Sequence, residues 1–239
     1  MTIPTRVATA AVIGVLIVAG GAAVIANRPG PPGAGGEPTM TAAPSIAAGP
    51  SPGFVGAGPL EPGPYRVTTT SGVTATFTVP AGWAGPPVTG FAVLKEGDGQ
   101  DASVILSFWQ PVNVYADPCS SGSLLNPSVG PTVDDLVAAL AAQPSTETTV
   151  PTPISVDGYN GQRIEYNVSV AAAGCPGMLW LWQDADGGDR TEDHDQLNEL
   201  NILDVAGSRV VINLSYLPDA PVADRAEVQS IFDTIRIDP

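Results

Sequence analysis

Basic side chains are scarce. The 239-residue chain holds nine Lys and Arg against 24 Asp and Glu, a formal charge of −15. From residue 65 onward the balance is 7 against 22, so that part carries the whole excess. Lys95 is the sole lysine. Nucleic acid and anionic lipid both call for basic patches, which argues against either as a partner of this region. The charge fits a soluble domain, or one that meets cations or a basic partner. Histidine is limited to His194, and cysteine to Cys119 and Cys175. No nucleophile motif accompanies that histidine, so nothing marks a catalytic triad. No cysteine lies near the N-terminus, which excludes a lipoprotein anchor.

Charge is also absent from residues 7–26 (VATAAVIGVLIVAGGAAVIA), which Arg6 and Arg28 bound. An α-helix rises about 1.5 Å per residue, so this run spans the roughly 30 Å hydrocarbon core once. A signal anchor is expected, with residues 1–6 as a short cytoplasmic N-terminus and the C-terminal part outside. The alternative is a secretory signal peptide cut after Ala26, where Val24-Ile25-Ala26 offers small residues at the cleavage position. Residues 27–64 lack apolar periodicity and are largely Pro, Gly and Ala. Such a segment buries too little to offset its ordering entropy, so a disordered linker is expected.

Outside a membrane, two cysteines most simply form one disulfide, Cys119 to Cys175. A catalytic cysteine is the poorer reading, since Pro176 follows Cys175 and the only histidine sits in an acidic stretch.

Residues 65–239 are the size of one domain. Val73, Ala75, Phe77 and Val79 alternate with threonines as a half-buried strand, pairing with residues 65–70 through Ser71-Gly72. Residues 91–95 and 102–109 form a second pair. The latter is apolar on both faces, as a central strand would be. A helix opens at Val133, where Thr132 and Asp135 can form a capping box, and stops before Pro144. Residues 163–170 alternate, with Ile164, Tyr166, Val168 and Val170 inward. Asp157-Gly158 and Asn160-Gly161 before them are turn or bulge signals. Residues 178–183 make another strand, and residues 200–205 and 209–217 a hairpin. Asp219 is the expected cap of a last helix with Val228, Ile231, Phe232 and Ile235 inward, and residues 236–238 add a short strand. The sum is an α+β domain: a largely antiparallel β-sheet packed with about two helices.

The run TFTVPAGW (76–83) resembles the opening of PsbP/Mog-like domains. The helix over residues 133–142 leading into ISVDGYNGQRIEYNV (154–168), and the late hairpin and closing helix (210–235), are similar to the same family. VYADPC (114–119), GPTVDDLVAALAAQP and ILDVAGSRVVI also resemble segments of actinobacterial cell-envelope proteins of unassigned function, many held by one N-terminal helix. The resemblance covers residues 65–239 and lies in scaffold positions. It implies an antiparallel sheet flanked by helices and, by analogy, a binding or assembly factor.

The densest cluster of candidate ligands is residues 184–195 (DADGGDRTEDHD), with Asp184, Asp186, Asp189, Glu192, Asp193 and Asp195. Ca²⁺ takes six to eight oxygens. Asp184, Asp186, Asp189 and Asp195 are the candidate ligands: the Asp184-x-Asp186 start and the acidic twelfth position, Asp195, echo an EF-hand loop, although Asp189 stands where that loop needs glycine and Asp195 where it needs glutamate. The competing reading is a solvated acidic hairpin loop. His194 between Asp193 and Asp195 is a candidate metal ligand or pH-sensitive group. Trp180 and Trp182, two apart on a strand, share a face. With Trp83 and Trp109 they make an aromatic platform or, more simply, fill the core.

The functional expectation is a non-enzymatic, membrane-anchored extracytoplasmic module that engages an envelope protein. The alternatives are an ion or ligand sensor using residues 184–195, and a hydrolase of envelope polymers, which needs a carboxylate pair in a cleft. No cofactor is expected, Ca²⁺ apart.

Overall fold

The computed structural model describes residues 51–86, 91–95, 102–119, 122–168, 175, 178–192 and 196–239. Among them no helix is long and apolar enough to cross a membrane. The apolar run 7–26 and the cleavage position after Ala26 lie outside the described residues.

Among the described residues, three sheets form from sixteen strands. The first joins β1 (Gly53–Phe54), β3 (Gly63–Thr68), β4 (Thr74–Val79) and β16 (Arg236–Asp238) in the order β1-β3-β4-β16. The main sheet uses β2 (Gly58–Pro59), β5 (Trp83–Gly85), β6 (Ala92–Lys95), β7 (Val104–Trp109), β9 (Thr146–Thr148), β10 (Thr152–Val156), β11 (Tyr159–Val168), β14 (Leu197–Val205) and β15 (Ser208–Tyr216). Its order is β10-β11-β14-β15-β7-β6-β5-β2, with β9 also on β11. The third sheet is β13-β12-β8, from β8 (Pro111–Val114), β12 (Leu179–Asp184) and β13 (Asp189–Glu192). Every pairing but β1 with β3 is antiparallel.

The two faces of the main sheet have separate cores, because side chains alternate along a strand. In β15, Val210, Ile212 and Leu214 enter one core and Val211 the other. The first core holds Phe77 of β4, Phe108 of β7, and Val228, Ile231, Phe232 and Ile235 in and just after α2 (Val222–Phe232). The second packs Leu136, Val137 and Leu140 of α1 (Val133–Ala141) with Ile164, Tyr166, Leu181 and Trp182. The central position expected for residues 102–109 is what β7 occupies, between β6 and β15.

Several expectations change. Order reaches back into the segment expected as linker. Val55 is buried, and the Leu60 N–H donates to the Trp83 carbonyl at 2.8 Å, so residues 51–64 lie on the sheets. The capping box of α1 forms: the Asp135 N–H donates to Thr132 Oγ1 at 3.1 Å, and the Thr132 N–H to Asp135 Oδ2 at 3.0 Å. Asp219 does not cap α2. Pro221 is the cap residue, because residues 217–220 are held in a turn (Ala220 N–H to the Leu217 carbonyl, 3.0 Å) that Arg225 clamps through the carbonyls of Leu217, Pro218 and Ala220. Asp157-Gly158 turns the chain with positive φ at both residues. Asn160-Gly161 is not a turn but lies inside β11. A Cβ on Gly161 would stand 1.9 Å from the Ile202 carbonyl oxygen, so the glycine permits a close strand approach.

Cys119 and Cys175 form a disulfide with Cα atoms 5.1 Å apart, and both pack against the second core. Such a bond fits an extracytoplasmic domain.

Candidate functional site

Gln110 is the one residue between β7 and β8, where the chain leaves the main sheet for the third. It is buried, and every polar group of it is used. Its side chain reaches the turn after β3: the Ser71 N–H donates to Gln110 Oε1 at 2.8 Å, and Gln110 Nε2 donates to Ser71 Oγ. Its backbone reaches the end of β12 and the turn that follows. The Gln110 N–H donates to Asp184 Oδ1, and the Ala185 N–H to the Gln110 carbonyl at 3.0 Å. Three sheets are therefore pinned together at one glutamine.

Two hollows flank it. A cavity of about 70 Å³ lies among Thr68, Thr69, Thr70, Phe91, Phe108, Trp109, Gln110, Asp184 and Asp186. Phe91 and Trp109 meet there with ring centroids 4.3 Å apart. A wider groove of about 440 Å³ runs past Pro111, Val112, Val129 and Pro131, with Arg209 at its side. Arg209 is anchored by three carbonyls, those of Gly130, Thr132 and Pro111.

Of the acidic candidates, Asp184 and Asp186 line the same cavity, while Asp189 turns to Tyr115. Burial pushes the Asp184 carboxyl up to about 6, and the neighbouring Asp186 adds to the rise while the Gln110 and Ala185 N–H groups oppose it. Asp186 Oδ1 accepts from the Gly188 N–H at 2.8 Å, as a turn residue does. Asp189 Oδ1 accepts from the Tyr115 hydroxyl at 2.8 Å, and the Tyr115 phenol is pushed up to about 12, by burial first and then by Asp189. Among the described residues no three His, Cys, Asp or Glu side chains are placed to hold a metal. Asp193, His194 and Asp195 lie outside the described residues.

Residues 189–192, expected in a solvated loop, form β13. Glu192 is buried and Arg190 partly so, with Arg190 Nη2 3.3 Å from Glu192 Oε2. Asn198 Nδ2 donates to both Glu192 oxygens, at 3.0 and 3.2 Å. Asn198 Oδ1 in turn accepts from Asn213 Nδ2 at 3.1 Å and Ser215 Oγ at 2.9 Å. Burial pulls the Arg190 guanidinium below its usual range, and Glu192 opposes that shift.

The four tryptophans do not assemble a platform. Trp83 lies in the first core and Trp182 in the second. A register shift between Trp180 and Trp182 puts Leu181 and Trp182 inside together, so Trp180 and Trp182 do not share a face. Trp180 instead meets Tyr115 edge-on at 5.6 Å.

A carboxylate pair of another sheet region, besides Asp184 and Asp186, also faces a hollow. Glu165 of β11 and Glu199 of β14 are cross-strand partners, and both line a hollow of about 160 Å³ with Asn167, Leu197, Tyr216 and Arg225. Arg163 Nε stands 3.2 Å from Glu199 Oε1. Sequence reasoning missed this pair and the Gln110 junction, because strand register decides both. The polar Gln110-Pro111 step between two apolar runs is the signal that marks the junction.

No protein-family model matches the chain, and no curated protein does. Among solved structures, the cyanobacterial PsbP (CyanoP) of Synechocystis sp. PCC 6803 aligns with 75% of this chain and 95% of its own, at 13% identity and a TM-score of 0.37. That is a loose likeness and assigns this chain neither a family nor an activity.

Proposed function

We propose that the protein is a non-enzymatic, extracytoplasmic binding or assembly module of the cell envelope, held at the membrane by residues 7–26. The observation that supports it best is the Gln110 junction. It carries a rigidly braced surface with an acidic, aromatic-walled cavity on one side and an open, proline-lined groove on the other. The partner is an envelope protein presenting an apolar segment and positive charge, which the charge of −15 favours. Backbone docking at sheet edges is disfavoured. Pro153 sits in the outer strand β10, and Asp157 Oδ2 takes the Ile237 N–H of β16. The test is photo-crosslinking from full-length protein in its native envelope. A crosslinking residue at Val112, exposed in the groove, captures the partner, and one at Val150, exposed away from it, does not. Equal or absent capture from the two positions sinks the reading.

A second reading is a hydrolase of envelope polymers, favoured by the Glu165–Glu199 pair in its cleft. Incubating full-length protein with cell-wall polymer tests it. Turnover abolished by Glu165→Gln would replace the first reading.

A further inference from the structure

We infer that the cavity beside Gln110 is a receptor for a single alkylammonium group, the head of a lysine side chain or a methylated amine, held between Asp184 and Asp186 and against Phe91 and Trp109. The inference rests on the binding-module reading and names the chemistry of its anchor.

Three observations lead there. The first is the wall. Phe91 and Trp109 bring two rings into one small hollow, and ring faces attract cations. The second is uncompensated charge. Among the described residues no Lys or Arg forms an ion pair with Asp184 or Asp186. The nearby Arg190, 5.6 Å from the Trp109 ring, is committed to Glu192, Gln196 and the Thr191 carbonyl. A half-buried carboxylate beside a second one is costly when ionised, and a cation seated between them removes that cost. The third is rigidity. Gln110 fixes both Ser71 and Asp184, so the hollow is preformed and little ordering opposes binding. The size selects the ligand. About 70 Å³ admits a compact ammonium with its last methylene groups, while the rest of a side chain lies in the adjoining groove, which shares Thr70 and Gln110 with the cavity.

Full-length protein in detergent micelles is titrated with Nα-acetyl-lysine amide, and the indole N–H resonances are followed by NMR. Nα-acetyl-norleucine amide is the uncharged control; Nα-acetyl-arginine amide and calcium chloride are the competing cations. The lysine probe is expected to shift the indole signals saturably in the millimolar range, with no response to norleucine. Asp186→Asn keeps the turn, because its amide oxygen still accepts from Gly188, and is expected to weaken binding about tenfold, as is Phe91→Leu. An equal response to norleucine, unchanged affinity in Asp186→Asn, tighter binding of calcium or arginine, or no saturable response each overturns the inference. Capture at Val112 without ammonium binding sinks this anchor alone. Ammonium binding without capture leaves the anchor and sinks the envelope-protein reading.

Discussion

The backbone N–H of Gln110 donates to the carboxylate of Asp184, 74 residues further along the chain, and through that bond the residue after β7 is tied to the last residue of β12. The same carboxylate is the group whose proton affinity the fold raises, to about 6 from 3.8. Below about pH 4 both folded and unfolded chains hold the proton, and this group contributes no difference. Between about 4 and 6 only the folded chain holds it. Stability from this group therefore falls as pH rises through that window and is level above it. Asp184→Asn retains the acceptor for Gln110 and removes the titration. Urea midpoints are expected to match the parent near pH 4 and to exceed it at pH 8. A parent curve as flat as the variant's over that range would sink the assignment.

Gln143, just after α1, is buried and bridges three elements. Its Nε2 donates to the carbonyls of Tyr115 (2.8 Å) and Leu181 (2.9 Å), and its Oε1 accepts from the Tyr166 hydroxyl at 2.8 Å. Tyr166→Phe leaves one acceptor unmet and is expected to cost about 1–2 kcal/mol in a denaturant titration. Gln143→Leu removes the donor to the Tyr115 carbonyl and the acceptor of the Tyr166 hydroxyl, while the Leu181 carbonyl keeps the Tyr115 N–H at 3.1 Å, and is expected to cost more than Tyr166→Phe, about 2–3 kcal/mol. Equal losses in the two variants would show that the amide does not bridge.

Local signals made much of this fold readable. The Thr132–Asp135 capping box, the alternation that begins with Ile164 and Tyr166 (Val170, also expected inward, lies outside the described residues), and the apolar face of α2 each depend on residues a few positions apart. The site was less readable. Gln110 meets Ser71 and Asp184 from three sheets, and Glu165 meets Glu199 only through the register of β11 on β14. The shift beside Leu181 reverses the parity on which the Trp180–Trp182 reading depended. The acidic count of residues 184–195 hid Glu192, which is buried because Arg190 and Asn198 meet it inside.

That buried pair yields a prediction with two arms. Arg190→Met withdraws the cation from Glu192, which keeps its bonds from Asn198 but stays in a poorly solvated site. Truncating one partner of a buried ion pair costs about 3–5 kcal/mol. Adding Glu192→Leu, which removes the buried carboxylate as well, is expected to recover part of the loss. If the double variant is less stable than Arg190→Met, the pair is not where the cost arises.

Glu165 and Glu199 are like charges placed directly across two strands, which is destabilising by about 0.2–1 kcal/mol. Glu165→Lys converts the repulsion to attraction, and is expected to raise the urea midpoint at low salt and less so at high salt, where screening shortens the reach of exposed charges. A midpoint that falls would mean that Glu165 has a stabilising role the strand register does not reveal.

The Cys119–Cys175 bond closes a separation of 56 residues, linking the segment after β8 to the segment before β12. Chain-entropy models credit a loop of that length with about 4 kcal/mol. Cys119→Ser with Cys175→Ser is expected to lower stability by up to that amount, or roughly 8–16 °C in Tm for a domain of this size. The same bond reports location. A maleimide applied to unfolded, unreduced protein from cells should modify neither cysteine, and should modify both after reduction. Labelling without reduction would place the domain in a reducing compartment and remove the extracytoplasmic premise on which the envelope partner depends.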